Sequence, residues 1–159
     1  NDLGGAGLAA ALAAASADHL LAASDAGLRS MTAAGVPAVL LPATAYSLRK
    51  PYARAREMID AGLAVALATD CNPGSSYTES MPFALGLAVV NMAMTPAEAL
   101  TAATLNAAYA VGRAAFVGSL ETGKQADFLF LEGDSPAILA YHAGVSPVAA
   151  VFKRGERVY

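Results

Sequence analysis

Apolar positions along the chain follow two patterns, a helical spacing in longer segments and short unbroken runs that end at Pro, Gly or Asp. Residues 6–15 are almost all alanine and leucine and predict a helix, after which Ser16-Ala17-Asp18-His19-Leu20 reads as a short strand end. Ser24 is an N-cap candidate for a second helix that stops at Gly35. Residues 36–41 form a continuous apolar run closed by Pro42, the profile of a strand buried on both faces. The scheme then repeats: a helix over 52–61 carries Arg54, Arg56, Glu57 and Asp60 on its wet side, Gly62 ends it, and residues 63–69 form a second buried strand.

Helices alternating with buried strands across short loops predict βα units and a parallel sheet, an α/β fold whose chemistry sits at the carboxyl ends of the strands. Three such ends are Asp18-His19, Leu41-Pro42 and Thr69-Asp70, and the turn-forming run Cys71-Asn72-Pro73-Gly74-Ser75-Ser76-Tyr77 is a loop at the same edge. Residues 81–112 read as helical, with Thr95-Pro96-Ala97-Glu98 as a start signal and a further helix from Thr104. Beyond residue 117 the pattern turns to β: a turn-rich ribbon at 118–124, a strand over 126–131, and a hairpin of 148–153 with 156–159 across Arg154-Gly155. A boundary near Phe116 divides a βα part, 1–115, from a small β part, 116–159.

Composition narrows the function classes. With 56% hydrophobic and 14% charged residues among 159, the chain has apolar material for a buried core. A formal charge of −3, with no basic cluster beyond Lys153-Arg154, leaves no footprint for nucleic acid. The apolar runs are too short to span a membrane. The single cysteine, Cys71, excludes a disulfide framework and a thiolate cage, and fits a cytoplasmic setting. The opening Asn1-Asp2-Leu3-Gly4-Gly5 lacks a basic segment and an initiator methionine, so it reads as a cut inside a longer chain.

Asp70 is delivered by a dry strand into a loop of Asn, Gly and Ser, a setting that suits a metal ligand or a base; the competing reading, which spacing alone favours, is an aspartate that caps its own turn. His19 can move a proton or polarise a carbonyl near neutral pH, or serve as a hydrogen-bonded structural residue, the commoner use. The loop 72–76 can offer backbone N–H groups and hydroxyls to a ligand, or be an ordinary surface turn. Cys71 reads as a packing residue, His142 as structural, and Arg29, Arg49, Lys50 and Arg54 as solvated.

Leu3-Gly4-Gly5-Ala6, Ser16-Ala17-Asp18-His19-Leu20, Ala38-Val39-Leu40-Leu41-Pro42, Ala66-Leu67-Ala68-Thr69-Asp70-Cys71-Asn72-Pro73-Gly74-Ser75-Ser76 and Gly118-Ser119-Leu120-Glu121-Thr122-Gly123-Lys124-Gln125-Ala126-Asp127 occur in this order. Together they resemble the imidazolonepropionases, metal-dependent hydrolases of the amidohydrolase superfamily. The Gly-Lys-x-Ala-Asp ribbon is similar to amidohydrolases in general; the Asp-x-Asn-Pro-Gly-Ser loop and the Ser-Ala-Asp-His-Leu segment are the specific parts. The resemblance implies a (β/α)8 barrel, of which residues 1–115 supply strands 6 to 8, plus a small β-sandwich to which 116–159 contribute. It implies one zinc or iron ion with Asp70 as a ligand, His19 as a proton-transfer or polarising group, and Asn72, Gly74 and Ser75 against substrate. The implied reaction opens the ring of 4-imidazolone-5-propanoate to N-formimino-L-glutamate in histidine degradation. The remaining ligands are expected on an N-terminal half of the barrel that precedes Asn1, with a homodimer as the complete assembly and a chain that is inactive alone. A ring deaminase and a non-catalytic packing fragment are the alternatives, and the Asn-Pro-Gly-Ser-Ser loop argues against the deaminase.

Overall fold

A computed structural model describes residues 2–159. Helix α1 (Gly5–Ala11) lies on α2 (Asp25–Ala34), and the two approach closely because residue 27 is glycine: a Cβ there would sit 2.9 Å from that of Ala6. Helix α2 starts where the sequence predicts, with the Ser24 side chain accepting the Gly27 N–H at 3.3 Å, and it buries Leu28 and Met31.

Strands β1 (Ala17–Asp18), β2 (Ala38–Leu40) and β3 (Val65–Leu67) pair in parallel in that order, with Ala17 opposite Ala38 and Ala38 opposite Val65. The central strand is apolar at every position, with Ala38 and Leu40 wholly buried and Val39 partly buried. Met31, Val36, Met58, Leu67, Leu85 and Met92 close the core around it. Strands β2 and β3 are shorter than the apolar runs at 36–41 and 63–69, and the helix that follows β2 departs from expectation. Pro42 does not merely end β2: it opens helix α3 (Pro42–Ser47), occupying the first turn where its missing N–H costs nothing.

Helix α4 (Ala55–Asp60) precedes β3. The helical stretch 81–112 divides into α5 (Met81–Asn91), α6 (Pro96–Ala103) and α7 (Leu105–Ala110). The predicted capping box at α6 is complete, and Arg56 of α4 reaches across to Glu98 with two bonds of 2.9 Å. Helix α1 is shorter than its alanine run predicts, because the chain leaves it at Leu12 and turns through Ala13 at φ 45°.

The remaining strands, β4 (Phe128–Leu131), β5 (Val148–Lys153) and β6 (Glu156–Arg157), form a separate antiparallel sheet in sequence order. The hairpin turn falls on Arg154-Gly155, both at positive φ as a tight two-residue turn demands. Phe128 stacks on Phe152 with centroids 4.6 Å apart. The short helix α8 (Ile138–Tyr141) packs against α5 and sends Leu139 into the main core.

Candidate active site

The carboxyl ends of β1, β2 and β3 lie along one sheet edge because all three strands run the same way. His19 follows β1 and Asp70 lies three residues past β3. With the sheet order β1-β2-β3 the two are separated by two strand spacings, roughly 10 Å.

Both residues have backbones in the left-handed region, His19 at φ 65° and Asp70 at φ 53°. For side chains other than glycine this costs about 1–3 kcal/mol each, and such strain gathers where a fold must aim a particular group. At His19 the cause is visible. Leu20 N–H donates to the Asp18 carbonyl at 2.9 Å, a three-residue turn centred on the histidine in its strained, positive-φ form. Leu20 is itself at φ 56°, so the chain reverses sharply as it leaves the sheet. Three residues past that turn, the loop is held by Arg54, which donates to the Ala23 carbonyl at 2.9 Å and pairs with Asp25 and Glu57. Arg54, read from sequence as merely solvated, ties α4 to the histidine loop. His19 is exposed and lines an open cleft of about 460 Å³ with Asp2, Ala6, Ala17, Asp18 and Leu20; Asp70 is not part of that lining.

Asp70 is half-buried. Its Oδ2 accepts the Thr44 hydroxyl at 2.6 Å, and its backbone carbonyl accepts Asn72 Nδ2 at 2.6 Å. Its Oδ1 accepts no hydrogen bond among the described residues. Asn72 organises the loop that follows. Its Oδ1 receives the N–H groups of Gly74 at 2.9 Å and Ser75 at 2.8 Å, and its Nδ2 also donates to Ser75 Oγ at 3.0 Å. Asn72 N–H and the Ser76 carbonyl close the loop at 2.8 Å. The fold therefore brings Asp70, Asn72, Gly74 and Ser75 into one compact turn, in which the polar groups of the last three bond to one another.

One reading needs correction, and one residue was missed. Cys71 is exposed rather than packed, because the left-handed Asp70 turns the chain out of the sheet just before it. Thr44, which no motif marks, is the buried partner of the Asp70 carboxylate. The only local hint was a proline placed to begin a helix at the end of β2. His142 ends α8, exposed, away from the strand edge.

Among the described residues no group of three or more His, Cys, Asp or Glu is arranged to hold an ion. Asp70 fits a metal as one donor, through the oxygen that Thr44 leaves free. No helix of the described residues is long and apolar enough to cross a membrane.

The amidohydrolase family model matches residues 4–158. The chain is 73% identical over 158 residues to the imidazolonepropionase of Desulfotalea psychrophila, covering 99% of this chain and 38% of the relative. It is 64% identical over 156 residues to the imidazolonepropionase of Syntrophobacter fumaroxidans, covering 98% and 37%. The chain thus spans less than two-fifths of the length of these curated relatives. Among solved structures, a zinc-bound adenosine deaminase from Xanthomonas campestris matches with a TM-score of 0.80 and 26% identity over 89% of this chain and 36% of that one. A mutant atrazine chlorohydrolase from Arthrobacter aurescens, complexed with zinc and atraton, matches in fold with a TM-score of 0.81 at 22% identity, over 99% and 42%.

Proposed function

Because the chain belongs to the amidohydrolase family, we propose that it is the C-terminal part of an imidazolonepropionase, which hydrolyses 4-imidazolone-5-propanoate to N-formimino-L-glutamate in histidine degradation. The observation that carries this reading is the 73% identity over 158 residues, which includes the strand ends bearing His19 and Asp70. In the proposal residues 1–115 are the last βα units of a (β/α)8 barrel, residues 116–159 part of a β-sandwich, and the preceding half of the barrel supplies the other metal ligands. The complete enzyme is a cytoplasmic homodimer.

Asp70 would hold one zinc or iron ion through Oδ1, with Oδ2 kept by Thr44. Such an ion supplies Lewis-acid chemistry that brings the pKa of water toward neutrality. The ring opening adds a water oxygen to a ring carbon, breaks that carbon's bond to nitrogen, and needs a proton delivered to the departing nitrogen. His19, on the same edge and open to the cleft, would move that proton through its imidazole. The left-handed turn at His19 places its backbone at the carboxyl end of β1, on the edge that Asp70 shares. Asn72, Gly74 and Ser75 would border the substrate. Their mutual hydrogen bonds make the loop a preformed wall, so contact with substrate comes from the outward side of the turn.

A ring deaminase is the second reading, favoured by the likeness to the adenosine deaminase; at 26% identity that likeness is far below the 73% shared with the Desulfotalea relative. Assay of the complete protein separates them. Loss of imidazolone propionate with formation of N-formimino-L-glutamate supports the first, and ammonia released from adenosine without ring opening supports the second.

A further inference from the structure

Thr44 is a buried polar residue, 6% exposed, inside α3. Three other threonines in or ending helices turn their hydroxyls back to the carbonyl four residues earlier: Thr32 to Leu28, Thr101 to Ala97 and Thr104 to Leu100, at 3.1, 3.0 and 2.7 Å. That local bond is the usual outlet for a helical threonine. Thr44 does not take it. The residue four back, Leu40, lies in β2, outside the helix, where its carbonyl already accepts the N–H of Ala68, the residue after β3, at 3.2 Å. The hydroxyl instead crosses to Asp70 Oδ2 at 2.6 Å, joining residues 26 apart in the chain.

Asp70 is thereby gripped twice. Asn72 Nδ2 holds its backbone carbonyl at 2.6 Å in the left-handed conformation, and Thr44 holds one carboxylate oxygen, which disfavours rotation of the group. The other oxygen, Oδ1, accepts no hydrogen bond among the described residues and is the one free to take a ligand. A carboxylate that binds a metal through one oxygen needs its second oxygen satisfied, or it rotates and offers either.

We infer that Thr44 is a positioning residue: its hydroxyl holds Asp70 Oδ2 so that Oδ1 is the atom presented to the metal ion. This rests on the proposed role of Asp70 as a ligand. Thr44 touches neither metal nor substrate; it acts through the carboxylate alone.

The test is zinc affinity of the complete protein, measured by competition with a chromophoric chelator, beside kcat and KM. Thr44→Val keeps the shape and removes the donor, Thr44→Ala is a second truncation in case valine does not fold, and Thr44→Ser restores the hydroxyl. The expected result is about 10- to 100-fold weaker zinc binding in the valine and alanine variants, near wild-type binding in the serine variant, and KM unchanged throughout. Wild-type zinc affinity in both truncations overturns the inference, as does a serine variant as weak as the valine one. Asp70→Ala separates this from the underlying reading: zinc retained at full affinity there removes the ligand role itself, whereas zinc lost there but kept in the Thr44 truncations removes only the role of Thr44.

Discussion

The bridge between α4 and α6 allows a stability change to be worked out before it is measured. Glu98 accepts both terminal nitrogens of Arg56 at 2.9 Å, and its Oε2 also accepts the Thr95 N–H at 2.8 Å while Thr95 Oγ1 accepts the Glu98 N–H at 3.2 Å. The Arg56 and Glu98 side chains keep 34% and 30% of their exposure. A bidentate pair so placed contributes at the upper end of the range for surface pairs, about 1 kcal/mol. The arm of the capping box lost with the carboxylate adds about 0.5 kcal/mol, since Thr95 still caps the helix. Glu98→Ala should therefore cost about 1.5 kcal/mol at pH 7. The hydrogen bonds from Arg56, then the Thr95 N–H, hold the Glu98 carboxyl at about 2 in place of 4.5. A folded-state value below the unfolded one means that this stabilisation is complete above about pH 4.5 and falls away as the pH drops from there through about 2. Urea midpoints of wild-type and Glu98→Ala complete protein, taken at pH 7 and pH 3.5, should differ more at the higher pH. A gap of equal size at both values, or none at pH 7, would refute the reasoning.

Asp70→Ala in the complete protein should remove bound metal and turnover together, so full metal occupancy by elemental analysis would exclude the ligand role. His19→Ala should keep most of the metal while kcat falls by about 10² or more; an unchanged kcat would leave His19 structural. At Gly118, φ is 98° and a Cβ would lie 2.7 Å from that of Ala108, so Gly118→Ala should lower stability by about 3 kcal/mol, and an unmoved denaturation midpoint would contradict this packing. Residues 1–159 purified alone should self-associate and bind zinc poorly, because β1 and β3 each pair on one side only and Asp70 lacks neighbouring ligands; a monodisperse monomer with tightly held zinc in gel filtration and metal analysis would overturn both parts.

What the sequence determined by itself was local. The apolar runs at 36–41 and 63–69 form strands over their central residues, 38–40 and 65–67, because the side chains there are mostly withdrawn from water on both faces. Ser24 and the Thr95–Glu98 box begin helices because their side chains satisfy N–H groups three residues away or fewer. The carboxyl edge bearing His19 and Asp70 was legible for the same reason: parallel βα units put every strand end on one side. Tertiary structure decided what depends on partners far along the chain. Asp70 meets Thr44 across 26 residues because β2 and β3 pair in parallel and bring their following segments side by side, Arg54 secures the His19 loop across 31 residues, and Arg56 reaches Glu98 across 42. Such contacts leave no periodic trace in the sequence, since a donor finds its acceptor by the geometry of the assembled sheet and not by its spacing along the chain.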